Sequence, residues 1–430
     1  MMSAVRSALH ETTHAPTTGL GKKLAGSKNA ADNLWMPLSA PWNPDDAVAS
    51  SVGQQLMPVE TAVAAELERA KQLSKLRAQF RESCQKAAAV TAPPMHAIER
   101  WILLSKWHEH SSLEPLLPVG EATAADAALE TDLQRAGMTS HEADKSVAAL
   151  RASTNAAAAL IRNTADASGG GAGSSSSSGQ PRRPLIQSVS LGNGLSRLTL
   201  LASAPTADDG GSNDEDGESD SGCDESFGSE VSVEVTEACV EKLRSLFARG
   251  CAGNSFDAAS SLDADSSLNA TFLARLFVCL LRYKAVGGLG FQAALGGSVF
   301  LELQRHLGTN FEAFASPLNC FYGPFCSAFP DVDAPFGSFG SFSAFRPRRG
   351  SYQVNPPFVA CIIDAAAEHM LTLLRAAQAK AEPLCFAVVL PGWTDCAGYM
   401  SLVEAGSLLR RSLLVAAVDH GFIDGGQHSR

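Results

Sequence analysis

Asn355-Pro356-Pro357-Phe358 is the stretch of this chain whose residue types could do chemistry. Two consecutive prolines cannot continue a strand ladder or a helix interior, so the chain turns there. Gly350-Ser-Tyr-Gln-Val354 before them leans apolar and reads as a strand, and a helical pattern runs from Val359 to about Lys380. A strand stopping at this bend sets a carboxamide, a ring and two rigid carbonyls at its carboxyl end, the edge where open α/β sheets bind ligands. The chemistry suited to those groups is methylation of a planar amine, a poor nucleophile because its lone pair is delocalised into a ring. The Asn355 side-chain oxygen and the Pro356 carbonyl could each accept one N–H, favouring a pyramidal nitrogen whose lone pair faces an electrophilic methyl. Phe358 could stack on the base, a contact worth roughly 1–3 kcal/mol. For these four residues alone, a strand-ending turn with a core phenylalanine is the plain alternative.

The neighbours change that balance. Phe311-Glu-Ala-Phe-Ala-Ser-Pro-Leu-Asn-Cys320, Ser327-Ala-Phe-Pro-Asp331, Phe336-Gly-Ser338 and the double-proline bend follow one another, with Cys279-Leu-Leu-Arg-Tyr283 and Gly290-Phe-Gln-Ala-Ala-Leu295 upstream and Phe386-Ala-Val-Val-Leu-Pro-Gly-Trp393 downstream. This ordered series resembles the phosphorylated CTD-interacting factor 1 family, the cap-specific adenosine methyltransferases, most densely from about Thr271 to Trp393.

The resemblance implies an α/β chain: a Rossmann-like class I methyltransferase domain preceded by a helical domain. It implies S-adenosyl-L-methionine as methyl donor and N6 of adenosine as acceptor, the cap-adjacent 2′-O-methyladenosine of capped mRNA first of all. Asn355, Pro356, Pro357 and Phe358 become the catalytic set. Ser316, Pro317, Leu318 and Asn319, after an expected buried strand Phe311–Ala315, fall where this fold seats the donor's methionine moiety, and Asn319 could bind its carboxylate or amine. Gln292 falls on the donor side, and Asp331 could bind the ribose hydroxyls; a Pro-Asp turn with solvated carboxylates is the alternative for Asp331 and Asp333. Arg346, Arg348, Arg349 and Trp393 are the substrate-facing candidates, arginine being well suited to phosphate. A solvated basic loop is the default for three such arginines.

Two rivals stand beside this reading. One is methylation of another planar nitrogen, in internal RNA adenine, DNA adenine or a glutamine amide. The other is a non-catalytic interaction protein that keeps the fold. The family also implies a nuclear location and contact with the RNA polymerase II C-terminal tail. Trp35 and Trp42 are too close together for a WW module, so neither that module nor its binding of the phosphorylated polymerase tail is carried over.

The net charge of −11 at first opposes an RNA partner. Ten acidic residues lie between Ala207 and Val231 with no Lys or Arg among them, so the rest of the chain is close to neutral and a local basic patch is allowed. That stretch, 203–230, reads as a solvated disordered insertion. The ten cysteines are scattered without a paired Cys-x-x-Cys, which points to reduced thiols in an intracellular compartment and to no zinc. His108 and His110, two residues apart, cannot share a helix face, so no metal is expected there. No apolar run approaches the ~18 residues of a membrane span, so no membrane is expected.

The elements that must position these residues follow. Residues 1–55 read as a disordered tail and 56–165 as a helical domain, with helices near 58–89, 95–108, 122–137 and 141–164. In the first, Leu73, Leu76, Phe80 and Cys84 recur at helical spacing, with Glu66 and Arg69 on other faces. A Gly/Ser linker takes 166–184. The α/β domain takes 185–430, with a hairpin turning at Asn193-Gly194, a strand Val231–Val235, a helix capped by Thr236, and a loop insertion 251–268. Gly287-Gly-Leu-Gly290 lacks the spacing of a dinucleotide fingerprint and reads as a close turn. Leu413–Val418 is expected as a further strand, after which the sheet would lack its last, antiparallel one.

Overall fold

The computed structural model describes residues 47–48, 56–87, 90, 92–94, 96–108, 114–168, 184–201, 231–252, 266–287 and 292–423. The expectations for the acidic stretch 203–230, the core of the 251–268 insertion, most of the Gly/Ser linker, residues 288–290 and the His108–His110 pair lie outside the described residues.

Four helices form the amino-terminal body: α1 (Val59–Lys86), α2 (Ala97–His108), α3 (Ala124–Arg135) and α4 (Ser140–Ser168), the last running into the expected linker. α1 packs along α4 and buries Leu73, Leu76, Phe80 and Cys84 at the expected spacing. α3 begins in a capping box between Thr123 and Asp126. The same Asp126 carboxylate accepts the Trp101 indole N–H and the Arg151 guanidinium, tying α2, α3 and α4 together.

One expectation reverses on α1. Helical spacing puts Glu66 and Arg69 on outer faces, yet they are 1% and 4% exposed. The cause is Arg282, a fully buried guanidinium on α6 (Ser266–Val286). Arg282 donates to both Glu66 oxygens, at 2.7 and 2.8 Å, and to Asp331 at 2.8 Å. Arg69 links Glu66 to Glu114 at 2.5 and 2.7 Å. A charge this deep is tolerable only when paired and hydrogen-bonded, so the carboxylates are drawn inward with it.

A hairpin of β2 (Leu185–Ser190) and β3 (Leu195–Leu201), extended by β4 (Val231–Thr236), makes an antiparallel sheet in the order β2-β3-β4. Thr236 then accepts the Cys239 N–H at 3.2 Å and starts α5 (Glu237–Ala252), as expected of its cap. After α6 come α7 (Gly297–Leu307) and the short α8 (Pro330–Asp333). Within the stretch read as a disordered tail, β1 (Ala47–Val48) pairs antiparallel with β5 (Arg346–Pro347).

β6 (Gly350–Val354) pairs in parallel with β7 (Leu384–Val388), and the helix α9 (Ala360–Ala379) joins them. The expected strand at 311–315 shows only as bridge contacts, but these reach both sides. Glu312 bridges Gln353 and Phe325 in parallel, and Phe325 bridges Ser338 likewise. Positions 338, 325, 312, 353 and 387 therefore lie side by side and run one way. α10 (Ala397–Val403) crosses α9 at Gly398, where a Cβ would come within 2.6 Å of the Asp364 backbone.

The expected strand Leu413–Val418 does not form. Residues 411–416 have no regular structure and 417–419 form a 3-10 turn; Leu414 and Val418 are 81% and 91% exposed. Among the described residues the apolar run has no neighbour to ladder with, and a strand exists only through its partner. No described helix is long and apolar enough to cross a membrane.

Arg282→Ala would leave Glu66 buried with Arg69 as its nearest counter-charge. The expected loss is about 3–5 kcal/mol of folding stability, seen as a lowered urea midpoint. A wild-type midpoint would show that the ion cluster does not clamp the two bodies.

Candidate active site

The strand succession reverses between 312 and 353. From the 311–315 segment the chain proceeds to the neighbour at 325 on one side, and from β6 it proceeds to β7 on the other. Such a reversal opens a crevice at the strands' carboxyl ends. A cleft with a volume of about 120 Å³, partly open to solvent, lies there, and its lining includes Ser316, Asn319, Gln292, Asn355 and Pro357. Two sequence motifs about forty residues apart thus share one cavity.

The bend is built as its residues require. β6 ends at Val354, Pro356 is buried, and α9 starts at Ala360. The Asn355 Nδ2 donates to the Ala293 carbonyl at 3.4 Å, while its Oδ1 is buried with no partner among the described residues. The Pro356 carbonyl accepts no hydrogen bond among the described residues. Gln292, 7% exposed and lining the same cleft, also carries an unpartnered oxygen, Oε1. A buried acceptor without a donor costs about 1–3 kcal/mol. Two of them in one cleft suit a ligand bearing N–H groups.

The loop 316–319 is more self-contained than expected. Asn319 Oδ1 accepts the Ser316 N–H at 2.7 Å and its Oγ at 3.0 Å, and Nδ2 donates to the Gln292 carbonyl at 2.9 Å. Its carboxamide is therefore spent on closing the loop and fixing the Gln292 backbone, not left for a donor's carboxylate. Leu318 is 1% exposed in the hydrophobic core, and Pro317 is not among the cleft residues. Asp331 also departs from expectation: it faces Arg282, with its side chain 32% exposed, and does not line the cleft. The buried guanidinium claims the carboxylate first.

On the outer side of the bend, Phe358 is 38% exposed and meets Trp393 and Phe422 edge-on, at ring-centre distances of 6.4 and 5.5 Å. Neither Phe358 nor Trp393 lines the cleft. Arg346, Arg348 and Arg349 are exposed, and Arg346 donates to the Ser343 carbonyl at 2.6 Å. Of the phenylalanines interleaved through 329–345, Phe329 and Phe342 line the cleft, while Phe336 and Phe345 are core. Among the described residues no group of three or more His, Cys, Asp or Glu could hold a metal.

Two positioning residues escaped the sequence reading. Glu312, 3% exposed, accepts the Phe321 and Tyr322 N–H groups at 2.6 and 2.8 Å, anchoring the far end of the 316–322 loop. Lys242, wholly buried on α5, donates to the Leu318 carbonyl at 3.3 Å. The available signal for Glu312 was a lone charge inside an apolar run, Phe311-Glu-Ala-Phe, whereas Lys242, next to Glu241, gave none.

Residues 242–425 match the family model described as "Phosphorylated CTD interacting factor 1 WW domain". A mouse (Mus musculus) mRNA (2'-O-methyladenosine-N(6)-)-methyltransferase is 36% identical over 203 residues, 46% of this chain and 27% of that protein. The human (Homo sapiens) protein of the same name is 38% identical over 171 residues, 38% of this chain and 24% of that protein. The chain thus spans about a quarter of the length of the curated relatives it matches.

Burial pushes the Glu312 carboxyl up to about 7, against the pull of the two backbone N–H groups and Lys242. The folded chain then holds a proton that the unfolded chain releases near 4.5, so this contribution is full below about pH 4.5 and is lost as pH rises through 7. Glu312→Gln keeps an acceptor oxygen and removes the titration. Its stability relative to wild type should rise by about 1–3 kcal/mol from pH 5 to pH 8 in thermal melts. Parallel pH profiles for the two proteins would refute the assignment.

Proposed function

With residues 242–425 matched to the phosphorylated CTD-interacting factor 1 family, we propose that this chain transfers methyl from S-adenosyl-L-methionine to N6 of adenosine in mRNA. On this reading the acceptor is the cap-adjacent 2′-O-methyladenosine. The observation that carries the proposal is the Asn355 Oδ1: a buried acceptor without a donor, in a cleft shared with Ser316, at the gap where the strand succession reverses. The two relatives' names support both the reaction type and the nucleoside. The parallel order through 338, 325, 312, 353 and 387 supports a Rossmann-like sheet for the α/β body, with the helices α1–α4 as a preceding domain.

Ser316 and Gln292 would hold the donor's amino-acid part, the orphaned Gln292 oxygen taking an N–H. The bound donor supplies a methyl made electrophilic by its sulfonium. This chain's share of the work is orientation. The Asn355 oxygen and the Pro356 carbonyl each accept one N–H of the adenine amine, turning its lone pair out of conjugation. The nitrogen's bond to carbon forms as the methyl's bond to sulfur breaks, and the surplus proton stays on nitrogen, hydrogen-bonded to one of those carbonyls, until water takes it. The exposed ring of Phe358, with Trp393 beside it, offers the base a stacking face outside the cleft. Arg346, Arg348 and Arg349 supply positive charge for the RNA backbone or cap triphosphate. A nuclear location belongs to this reading, and contact with the polymerase II tail would need a surface other than a WW module.

Asn355→Ala should cut methyl transfer to capped RNA by roughly a hundredfold or more while donor binding, followed by calorimetry, stays near wild type. Transfer retained by that variant would refute its role. A radiolabel assay on capped and uncapped RNA, an adenine-containing DNA and a glutamine peptide separates the cap-adjacent acceptor from other planar nitrogens.

A further inference from the structure

The cleft residues sort into two mutually contacting groups. Gln292, Ser316, Asn319 and Asn355 are joined through the hydrogen bonds around the 292–293 backbone. Trp107, Phe314 and Phe342 are joined ring to ring. Trp107 lies parallel to Phe314, with 4° between planes and 5.9 Å between centres, and Phe314 meets Phe342 at 5.2 Å. All three rings line the cleft together with Cys326, Ser327 and Ser341, which follow the neighbouring strand positions 325 and 338. A nucleoside carrying an amino acid has the same division, a flat apolar purine and a hydrogen-bonding end.

We propose that Trp107, with Phe314 and Phe342, seats the purine of the methyl donor, so that a helix of the amino-terminal body forms part of the donor site. The inference rests on the donor-dependent reading above and adds a residue from α2, outside the 242–425 stretch. Trp107 is held in place from its own side of the molecule. The preceding Lys106 donates to the Glu114 carbonyl at 2.8 Å, and the Glu114 carboxylate is bound by Arg69 and by the N–H groups of Leu116 and Leu117. Through Arg69 and Glu66 that chain of bonds ends on Arg282. The ring on α2 is thus mechanically continuous with α6, whose Tyr283 and Val286 line the cleft's other wall.

The test uses the full chain and S-adenosylhomocysteine, which carries the donor's nucleoside and cannot react. Calorimetry compares wild type with Trp107→Phe, which keeps a ring, and Trp107→Leu, which keeps bulk without one; thermal melts confirm folding. The expected result is a Kd within about threefold of wild type for Phe and weakened roughly tenfold or more for Leu, with the KM for capped RNA unchanged in both. Equal affinity in the Leu variant overturns the proposal. So does a raised KM for RNA with donor affinity intact, which would assign the rings to the acceptor's base. Failure of the wild type to bind S-adenosylhomocysteine at all would instead sink the methyltransferase reading.

Discussion

A guanidinium that no water can reach organises this molecule. Arg282 is held between Glu66 of α1 and Asp331 of α8, and its burial is sustainable only while both carboxylates stay in place. The amino-terminal helices are therefore locked to the parallel-strand body by a charge requirement as well as by apolar packing. The same helix carries Tyr283 and Val286 into the cleft wall, so the clamp and the cavity share a backbone. Tyr283 adds its own tie, donating to Asp333 at 2.7 Å, and burial pushes that carboxyl up to about 7.

The cleft is assembled from carboxamides used in two ways. Asn319 is consumed by its own loop, and Asn355 is tethered by one end only. The short segment 292–294 links them: its first carbonyl goes to Asn319, its second to Asn355, and Ala294 exchanges backbone bonds of 3.1 and 2.8 Å with Ile423. That fixes the nitrogen side of Asn355 and leaves its oxygen as the free chemical handle. The bend thus presents an acceptor oxygen to the cleft.

Local grammar made much of this legible in advance. The double proline marks the end of β6, Asn193-Gly194 marks the hairpin, and regular spacing marks α1, because each is decided within a few residues. What stayed hidden depends on distant partners. Glu66 and Arg69 look solvated until a guanidinium from far along the chain reaches them. Asp331 looks like a ribose ligand until the same group claims it. Asn319 looks like a ligand-binding amide, whereas its nearest donor is the backbone three residues earlier. Leu413–Val418 has strand-like composition but, among the described residues, no neighbour to complete a ladder, so composition alone misleads there.

The Arg282–Glu66 contact spans 216 residues of sequence, which bears on how the chain is made. At ribosomal speeds of about 5–20 residues per second, Glu66 leaves the exit tunnel roughly ten to forty seconds before its partner. During that interval Arg69, one turn away, is the cation at hand for the nascent helix. The final docking of the early helices is thus a late event in biogenesis, awaiting a residue not yet translated.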